Sequence, residues 1–371
     1  MSGPTPVLRL DVRRADRDLD VRLSLAPGEV VALLGPNGAG KSSVLSLVAG
    51  LLAPGGGRIE LAGELVDDPA AGVRVPVHRR RAGLLAQDAR LFPHLTLLEN
   101  VAFGPRSAGV GRREAHRTAR RRLAEVGLDG LGERRPAQVS GGQAQRAAVA
   151  RALAADPRVL LLDEPLAALD VAAAPEVRHV LRRILRGDEG RAGLLVTHDP
   201  LDALALADRA VVLEAGRVVE EGPVTEVLSR PRSGFGARLA GLDLVRGAAT
   251  EDGLVAPDGF RIAGRRDPDC PPGVEAVAIF APSAVAVHVT DPGGSPRNRW
   301  PATVVELEPR GDVVRVRTRV LGHDVLADVT PAAAAALDLV PGAEVVVVVK
   351  ATAVGVHAVG GDRAGASGSG T

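Results

Sequence analysis

Short unbroken apolar runs recur through the first 230 positions of the chain, at 30–34, 159–163, 194–197 and 210–213. A run without polar alternation is typical of a strand that is buried on both faces, as in a parallel sheet. Stretches rich in Ala, Leu and Arg lie between these runs and predict helices at 41–52, 112–126, 141–154 and 175–186. Strands that alternate with helices predict an α/β fold for this part of the chain.

The pattern changes after a segment rich in proline, glycine and serine at 231–236, which predicts a domain boundary. Beyond it, valines alternate with polar residues in short segments such as 313–320 and 345–349, and this favours a small all-β domain. One helix is predicted at 331–339, because Thr330 is a good N-cap and Pro331 fits the first helical position.

These patterns divide the chain into three parts. The first is the α/β domain at 1–236, and the second is the all-β domain at 237–360. The last part, 361–371, is rich in Gly and Ser, and we expect it to be a disordered tail.

Composition narrows the class of protein. The 371 residues are 46% hydrophobic and carry a net charge of +1, which removes any global electrostatic argument for binding nucleic acid. A single cysteine excludes a disulfide framework and a cysteine-rich zinc site. No apolar run approaches the roughly 18 residues that a membrane span needs. Of the 46 basic residues, only Lys41 and Lys350 are lysine.

A glycine-rich segment between the first apolar run and the first predicted helix matches the phosphate-binding P-loop pattern. Its glycines let backbone N–H groups converge on phosphates, and the helix N-terminus adds its dipole. Lys41 supplies a mobile positive charge for the outer phosphates of ATP, and the Ser42 hydroxyl is a candidate Mg²⁺ ligand. The predicted nucleotide-binding residues here are Gly35, Pro36, Asn37, Gly38, Ala39, Gly40, Lys41, Ser42 and Ser43.

Two adjacent carboxylates, Asp163 and Glu164, follow the apolar run at 159–163. Consecutive strand residues point to opposite faces, so the two carboxylates have different roles. We expect Asp163 to organise Mg²⁺, and Glu164 to act as the base or to orient the water that attacks the γ-phosphate.

The residues Ser140, Gly141, Gly142 and Gln143 form the start of another predicted helix. This helix start is a second candidate anion-binding site. Ser140 is a natural N-cap, and the glycines leave backbone N–H groups bare. One chain thus has two helix ends that bind phosphate but a single P-loop. We therefore predict a head-to-tail homodimer, in which this segment of each chain covers the nucleotide on the P-loop of the other.

Together with Gln87, Leu169-Asp170 and Thr197-His198-Asp199, these motifs resemble the nucleotide-binding subunit of an ABC transporter over about 230 residues. The resemblance implies an α/β P-loop ATPase domain with a helical subdomain, peripheral on the cytoplasmic face of the membrane. It implies that Gln87 joins Mg²⁺ and the attacking water to a permease, that Asp170 lies at the dimer interface, and that His198 contacts the γ-phosphate. An extracytoplasmic binding protein is an indirect partner.

One position departs from the family. The family usually stacks an aromatic side chain near the N-terminus on adenine, whereas the first aromatic here is Phe92. The guanidinium of Arg14 or Arg17 could take that place. The resemblance also implies that the segment 87–104, with Phe92 and Phe103, receives a coupling helix of the permease. The alternative is that both Phe side chains are core residues of the helical subdomain.

The C-terminal domain resembles the small molybdate-binding (TOBE/Mop-like) β-barrel that is appended to molybdate-importer ATPases. Neutral donors and one cation hold a tetrahedral dianion, and the resemblance offers Ser295, Arg297, Asn298 and Lys350 for this. Pro296 removes one N–H donor there. Alternatively, the β-barrel only packs the dimer or the permease.

These features predict the ATP-hydrolysing subunit of an importer for molybdate or a similar tetrahedral oxyanion. An importer for sulfate or another small anion remains open, because the nucleotide-binding motifs do not read the cargo. The rival from another class is a soluble ATPase acting on nucleic acid, supported by the arginines at 112–122. A solvated helix face explains those arginines better, since no aromatic residues accompany them.

Overall fold

The computed structural model describes residues 5–187 and 191–359. The chain forms two compact units, Met1–Val227 and Leu228–Thr371. The boundary predicted at 236/237 thus falls inside the second unit, shortly after its start. The tail predicted at 361–371 lies outside the described residues.

The described strands of the first unit form one sheet in the order β6-β5-β4-β1-β2-β11-β10-β3-β9-β8-β7. The pairs β10–β3, β3–β9, β9–β8 and β8–β7 are parallel, as the apolar runs predict. The strands are β1 (Leu8–Arg14), β2 (Leu19–Leu25), β3 (Val30–Leu34), β4 (Gly56–Leu61), β5 (Glu64–Asp68), β6 (Val73–Arg74), β7 (Ala82–Leu85), β8 (Val159–Asp163), β9 (Ala192–Val196), β10 (Arg209–Glu214) and β11 (Arg217–Pro223).

Helices α2, α3 and α4 pack on one another and form the helical subdomain. The described helices are α1 (Lys41–Ala49), α2 (Leu97–Ser107), α3 (Arg112–Glu125), α4 (Gly141–Ala154), α5 (Ala173–Leu185), α6 (Pro200–Leu206), α7 (Val224–Ser229), α8 (Gly234–Ala240) and α9 (Pro331–Ala336).

Helix α1 ends three residues before the predicted 52, because Gly50 adopts φ 82° and donates its N–H to Leu47 O. Helix α5 begins before the predicted 175, because Asp170 Oδ1 accepts from the N–H groups of Ala172 and Ala173. The predicted helices are otherwise confirmed within a few residues.

The core of the first unit lies between the sheet and α1. All five residues of β3 are buried, and so are Val44, Leu47 and Val48 of α1. Burial of both faces of β3 explains its unbroken apolar sequence, and it fixes the point where the P-loop leaves the sheet.

The second unit contains two sheets, with strand orders β14-β13-β12-β16-β22-β15 and β17-β21-β18-β19-β20. The second sheet is antiparallel throughout, and the expected small all-β, OB-like domain is confirmed. Its strands are β12 (Asp243–Ala249), β13 (Gly253–Val255), β14 (Arg261–Ala263), β15 (Arg265–Arg266), β16 (Glu275–Phe280), β17 (Val285–His288), β18 (Asn298–Arg310), β19 (Val313–Val320), β20 (His323–Val329), β21 (Glu344–Val349) and β22 (Gly355–Ala358).

The predicted helix at 331–339 forms α9 but ends at Ala336, and Thr330 caps it by accepting from the Ala333 N–H at 3.1 Å. The rings of Phe260 and Trp300 pack at 5.0 Å in the core of this unit. Within the described ranges, we find no helix long and apolar enough to cross a membrane.

Candidate nucleotide site and anion site

The P-loop connects the end of β3 to the start of α1, and its geometry requires glycine at two positions. A Cβ on Gly35 would lie 2.1 Å from Leu213 O, so any side chain there would collide with the backbone of β10. Gly40 adopts φ 100°, and a Cβ there would lie 2.7 Å from Leu19. Gly40 is also the N-cap of α1 and supplies no side chain, so it leaves the helix amides open to a phosphate.

Lys41 is 7% exposed, and its ammonium group donates to Gly35 O at 2.7 Å and Pro36 O at 2.9 Å. Burial lowers the pKa of Lys41, while the nearby carboxylates of Glu164 and Asp163 oppose this shift. The loop's own carbonyls thus hold the cation at the phosphate position. Neutral carbonyls compensate a buried charge less well than phosphate oxygens would.

Ser42 and Asp163 come together as the sequence predicts. The Ser42 hydroxyl lies 3.3 Å from Asp163 Oδ1. Burial raises the pKa of Asp163, and the hydrogen bond from Ser42 partly opposes this. A hydroxyl and a desolvated carboxylate side by side are oxygen ligands of the kind that Mg²⁺ prefers, so these residues fit the ion.

Glu164 follows β8 in the left-handed region, with φ 47°, and its N–H donates to Val196 O at 2.9 Å. This strained backbone turns the side chain toward the loop after β9. There, Glu164 Oε2 lies 3.5 Å from His198 Nδ1. The two residues predicted to act on the γ-phosphate therefore meet, although they are far apart in the sequence.

A pocket of about 500 Å³ opens over the P-loop, and Glu164 is part of its wall. Arg17 also lines it and donates to Ser43 Oγ at 3.0 Å. Arg14 instead binds Ala53 O and Asp16. Of the two arginines considered for adenine, only Arg17 lies at the pocket. Among the described residues, the pocket is lined by Arg17, Asn37, Gly38, Gly40, Lys41, Ser42, Ser43 and Glu164.

The Ser140 segment is absent from the described lining of this pocket. It starts α4 with a capping box, in which Ser140 Oγ accepts from Gln143 N at 3.3 Å and Gln143 Oε1 accepts from Ser140 N at 3.0 Å. Ser140 and Gly141 are exposed, whereas Gly142 is buried, where a Cβ would lie 3.0 Å from Ala173. This exposed helix start is available to a second molecule.

The segment after β7 carries Gln87, which is exposed. Further along it, the rings of Phe92 and Phe103 pack at 4.7 Å, and Phe103 is 46% exposed. Asn100, fully buried, holds the loop: its Oδ1 accepts from Phe92 N, and its Nδ2 donates to Phe92 O and to Thr96 O. Sequence reasoning missed Asn100; the signal was a polar residue on the apolar face of α2.

Three of the four predicted anion ligands in the second unit, Ser295, Arg297 and Lys350, are exposed. The fourth differs from the expectation. Asn298 is 2% exposed, its Oδ1 accepts from Ala263 N at 2.7 Å, and its Nδ2 donates to Ala263 O at 2.8 Å. Its carboxamide joins β18 to β14 and is not an open donor, because a buried amide must satisfy its polar atoms within the fold.

Comparisons with known proteins place both units. A family model described as ABC transporter matches residues 19–167, and one described as TOBE domain matches residues 294–356. The molybdenum import ATP-binding protein ModC of Mycobacterium tuberculosis is 49% identical over 362 residues, which cover 94% of this chain and 97% of that protein. The sulfate/thiosulfate import ATP-binding protein CysA 2 of Agrobacterium fabrum is 46% identical over 237 residues, 63% of this chain and 67% of that protein.

Two solved structures are similar to part of the chain. CbiO1 of Clostridium perfringens, part of the ABC transporter complex cbiONQ, is 28% identical with a TM-score of 0.54, covering 61% of this chain and 91% of that one. An ATP-binding cassette solved as a post-hydrolysis dimer with ADP and Pi is 30% identical with a TM-score of 0.50, covering 58% of this chain and 98% of that one. Because a relative with 49% identity is matched over nearly its whole length, the chain belongs to the ATP-binding proteins of ABC transporters and carries a C-terminal TOBE domain.

Proposed function

We propose that this protein is the ATP-hydrolysing subunit that powers an ABC importer for molybdate. The observation that carries the proposal is that Lys41, Ser42 and Glu164 line one P-loop pocket and that Asp163 lies 3.3 Å from the Ser42 hydroxyl. The cargo is inferred from the molybdenum import relative, whose similarity extends through both units.

Different residues of the chain act on different parts of the nucleotide. Lys41 neutralises the outer phosphates, and Arg17 stacks on adenine. Glu164 accepts a proton from the attacking water, and His198 contacts the γ-phosphate next to it. Ser42, Asp163 and Gln87 would hold Mg²⁺, which would neutralise charge on the phosphate oxygens. Gln87 would also link the ion and the attacking water to the permease.

Two copies of the chain form the complete site. The exposed start of α4 at Ser140 supplies backbone N–H groups and a helix dipole to the nucleotide on the partner's P-loop. Closing two such sites supplies the free energy of the transport step. To shift the dimer from about 1% closed to about 99% closed, ATP must favour the closed state by about 5.5 kcal/mol. Hydrolysis removes the γ-phosphate that joins the two faces and lets the dimer reopen.

The permease binds at the segment 87–104, on the cytoplasmic face of the membrane. The half-exposed Phe103, whose ring packs at a tilt against that of Phe92, offers the apolar surface that a coupling helix needs. Arg151 lies 5.7 Å over the Phe92 ring and donates to the carbonyls of Arg90 and Ala89, which fixes the shape of this surface. An extracytoplasmic binding protein delivers the cargo to the permease.

Nucleic acid is not a partner in this proposal. Four of the six arginines of α3 have carboxylate neighbours: for example, Arg112 lies 3.4 Å from Glu99, and Arg121 lies 3.8 Å from Glu125. These ion pairs reduce the positive potential that a phosphate backbone would require.

The test is uptake of radiolabelled molybdate into proteoliposomes that contain the full chain, its permease and the binding protein. We expect uptake that requires ATP and is not displaced by excess sulfate. Sulfate uptake with no molybdate uptake would assign the other cargo, and uptake that ignores ATP would contradict the proposal.

A further inference from the structure

A buried polar network holds the segment that carries His198. Thr197 and Asp202 are 3% and 4% exposed. The Thr197 hydroxyl accepts from the Asp199 N–H at 3.0 Å and donates to Asp202 Oδ2 at 3.5 Å. The residues on both sides of His198 are therefore tied to one carboxylate, that of Asp202 on α6.

Arg178 on α5 completes the network. Its Nε donates to Asp202 Oδ1 at 2.7 Å, and its Nη2 lies 2.6 Å from the same oxygen and 3.7 Å from Asp199 Oδ2. Burial raises the pKa of Asp202, and the hydrogen bonds and charge of Arg178 oppose that shift. The guanidinium thus helps to keep Asp202 in the charged form that binds it.

The side chain of His198 has little to orient it locally. It is 64% exposed, and its Nδ1 lies 3.5 Å from Glu164 Oε2. The direction of its Cα–Cβ bond is set by its backbone, which the contacts of the neighbouring Thr197 and Asp199 hold in place. Misplacing such a group by about 1 Å can cost about 100-fold in rate.

We propose that Arg178 and Asp202 are positioning residues that hold His198 toward the γ-phosphate. This rests on the proposed function, because it matters only if His198 meets a nucleotide. The network also connects two predicted parts of the dimer machinery. Asp170 Oδ1 accepts from the N–H groups at the start of α5, and the same helix carries Arg178 about one and a half turns later.

The first experiment measures ATP turnover and ATP binding separately. Asp202→Asn keeps the size of the side chain but removes its charge, so we expect kcat to fall about 10- to 100-fold. The dissociation constant for ATP should stay within about twofold, since affinity resides mainly at the P-loop. Arg178→Lys should keep more turnover than Arg178→Ala, because it retains the charge beside Asp202.

A double-mutant cycle separates positioning from general damage to the fold. In a His198→Ala background, Asp202→Asn should cause no further loss of kcat, because the residue acts through His198. Losses that multiply would overturn the proposal, as would a parallel loss of ATP binding. The matched control is Arg186→Ala at the end of α5, which breaks a 2.6 Å ion pair with Asp208 and should leave kcat unchanged.

The outcomes distinguish this proposal from the proposed function. A wild-type chain that does not hydrolyse ATP would contradict both. Normal hydrolysis in the wild type and loss in His198→Ala, combined with wild-type turnover in Asp202→Asn, would overturn only the positioning role.

Discussion

The two lysines of the chain lie in very different surroundings. Lys41 is 7% exposed, with its ammonium group held by two carbonyls of its own loop, whereas Lys350 is exposed at the end of β21. The ammonium group of Lys41 is therefore held in position before the nucleotide binds, whereas that of Lys350 is exposed to solvent. A local backbone motif can hold its cation in place within one chain, whereas a group of side chains from separate parts of a sheet depends on how the sheet packs.

The strand pairing sharpens the contrast. Asn298 lies opposite Val349 in the β18–β21 ladder, so the sheet brings Lys350 close to the predicted anion ligands. The amide that should bind the anion is already paired with Ala263. We therefore propose that Ser295, Arg297 and Lys350, without the amide of Asn298, bind the anion.

The largest effect is expected at Lys41. Lys41→Ala removes the charge that faces the outer phosphates, so kcat for ATP hydrolysis should fall about 100- to 1,000-fold. Steady-state ATPase assays measure this. Without nucleotide, the variant should bind molybdate as the wild type does, and impaired molybdate binding would show that the two sites are not independent.

A smaller effect is expected at Lys350. A planar guanidinium fits a tetrahedral dianion less well than an ammonium group, so Lys350→Arg should weaken molybdate binding about tenfold, or about 1.4 kcal/mol. Equilibrium dialysis of the full chain measures it. Arg319→Ala is the control, because it removes a charge from the same sheet at the ion pair with Asp324 and should leave molybdate affinity unchanged. Equal losses of affinity in both variants would show that Lys350 acts only through its general positive charge.

Arg17 offers a finer test of the nucleotide pocket. If its guanidinium stacks on adenine, Arg17→Ala should weaken ATP binding about two- to fivefold, the value of a solvent-exposed cation–π contact. Tripolyphosphate, which lacks the base, should bind both proteins equally well. Equal losses for ATP and tripolyphosphate would instead assign Arg17 to the phosphates.

The smallest effect concerns stability of the second unit. Asp243 is 5% exposed, and burial raises its pKa to about 7, opposed by the Leu326 N–H that it accepts. Because the folded pKa lies above the unfolded value, the stability that this group contributes is present below about pH 4 and is lost as pH rises toward 7. Asp243→Asn cannot ionise.

The melting temperature of Asp243→Asn should therefore exceed that of the wild type by a margin that widens between about pH 5 and pH 8, to a few degrees. Calorimetry at several pH values measures it. Asp324→Asn, which removes an exposed carboxylate beside Arg319, provides the control for the loss of a carboxylate in this unit. A constant margin for Asp243→Asn would contradict the assignment.

The features that the sequence predicted best are those formed by residues close together in the chain. The P-loop, the strand before it and the Ser140 cap all depend on residues within a few positions, so their patterns are readable. The hydrogen-bond partners of buried polar groups were harder to predict from the sequence. The partners of Asn298, Asn100 and Asp202 are set by packing, and Ala263 lies 35 positions from the amide that it binds. The sequence does not show which polar residue folding will bury.

Closure of two copies of the chain on ATP is tested most directly by the mass of the Glu164→Gln chain in solution. Glu164→Gln keeps the pocket but removes the base, so we expect ATP to bind, turnover to stall and the closed dimer to accumulate. Light scattering with Mg-ATP should give about twice the 38.2 kDa of one chain, and ADP should give one chain. A single-chain mass at saturating ATP, or turnover near the wild-type rate, would contradict the composite site.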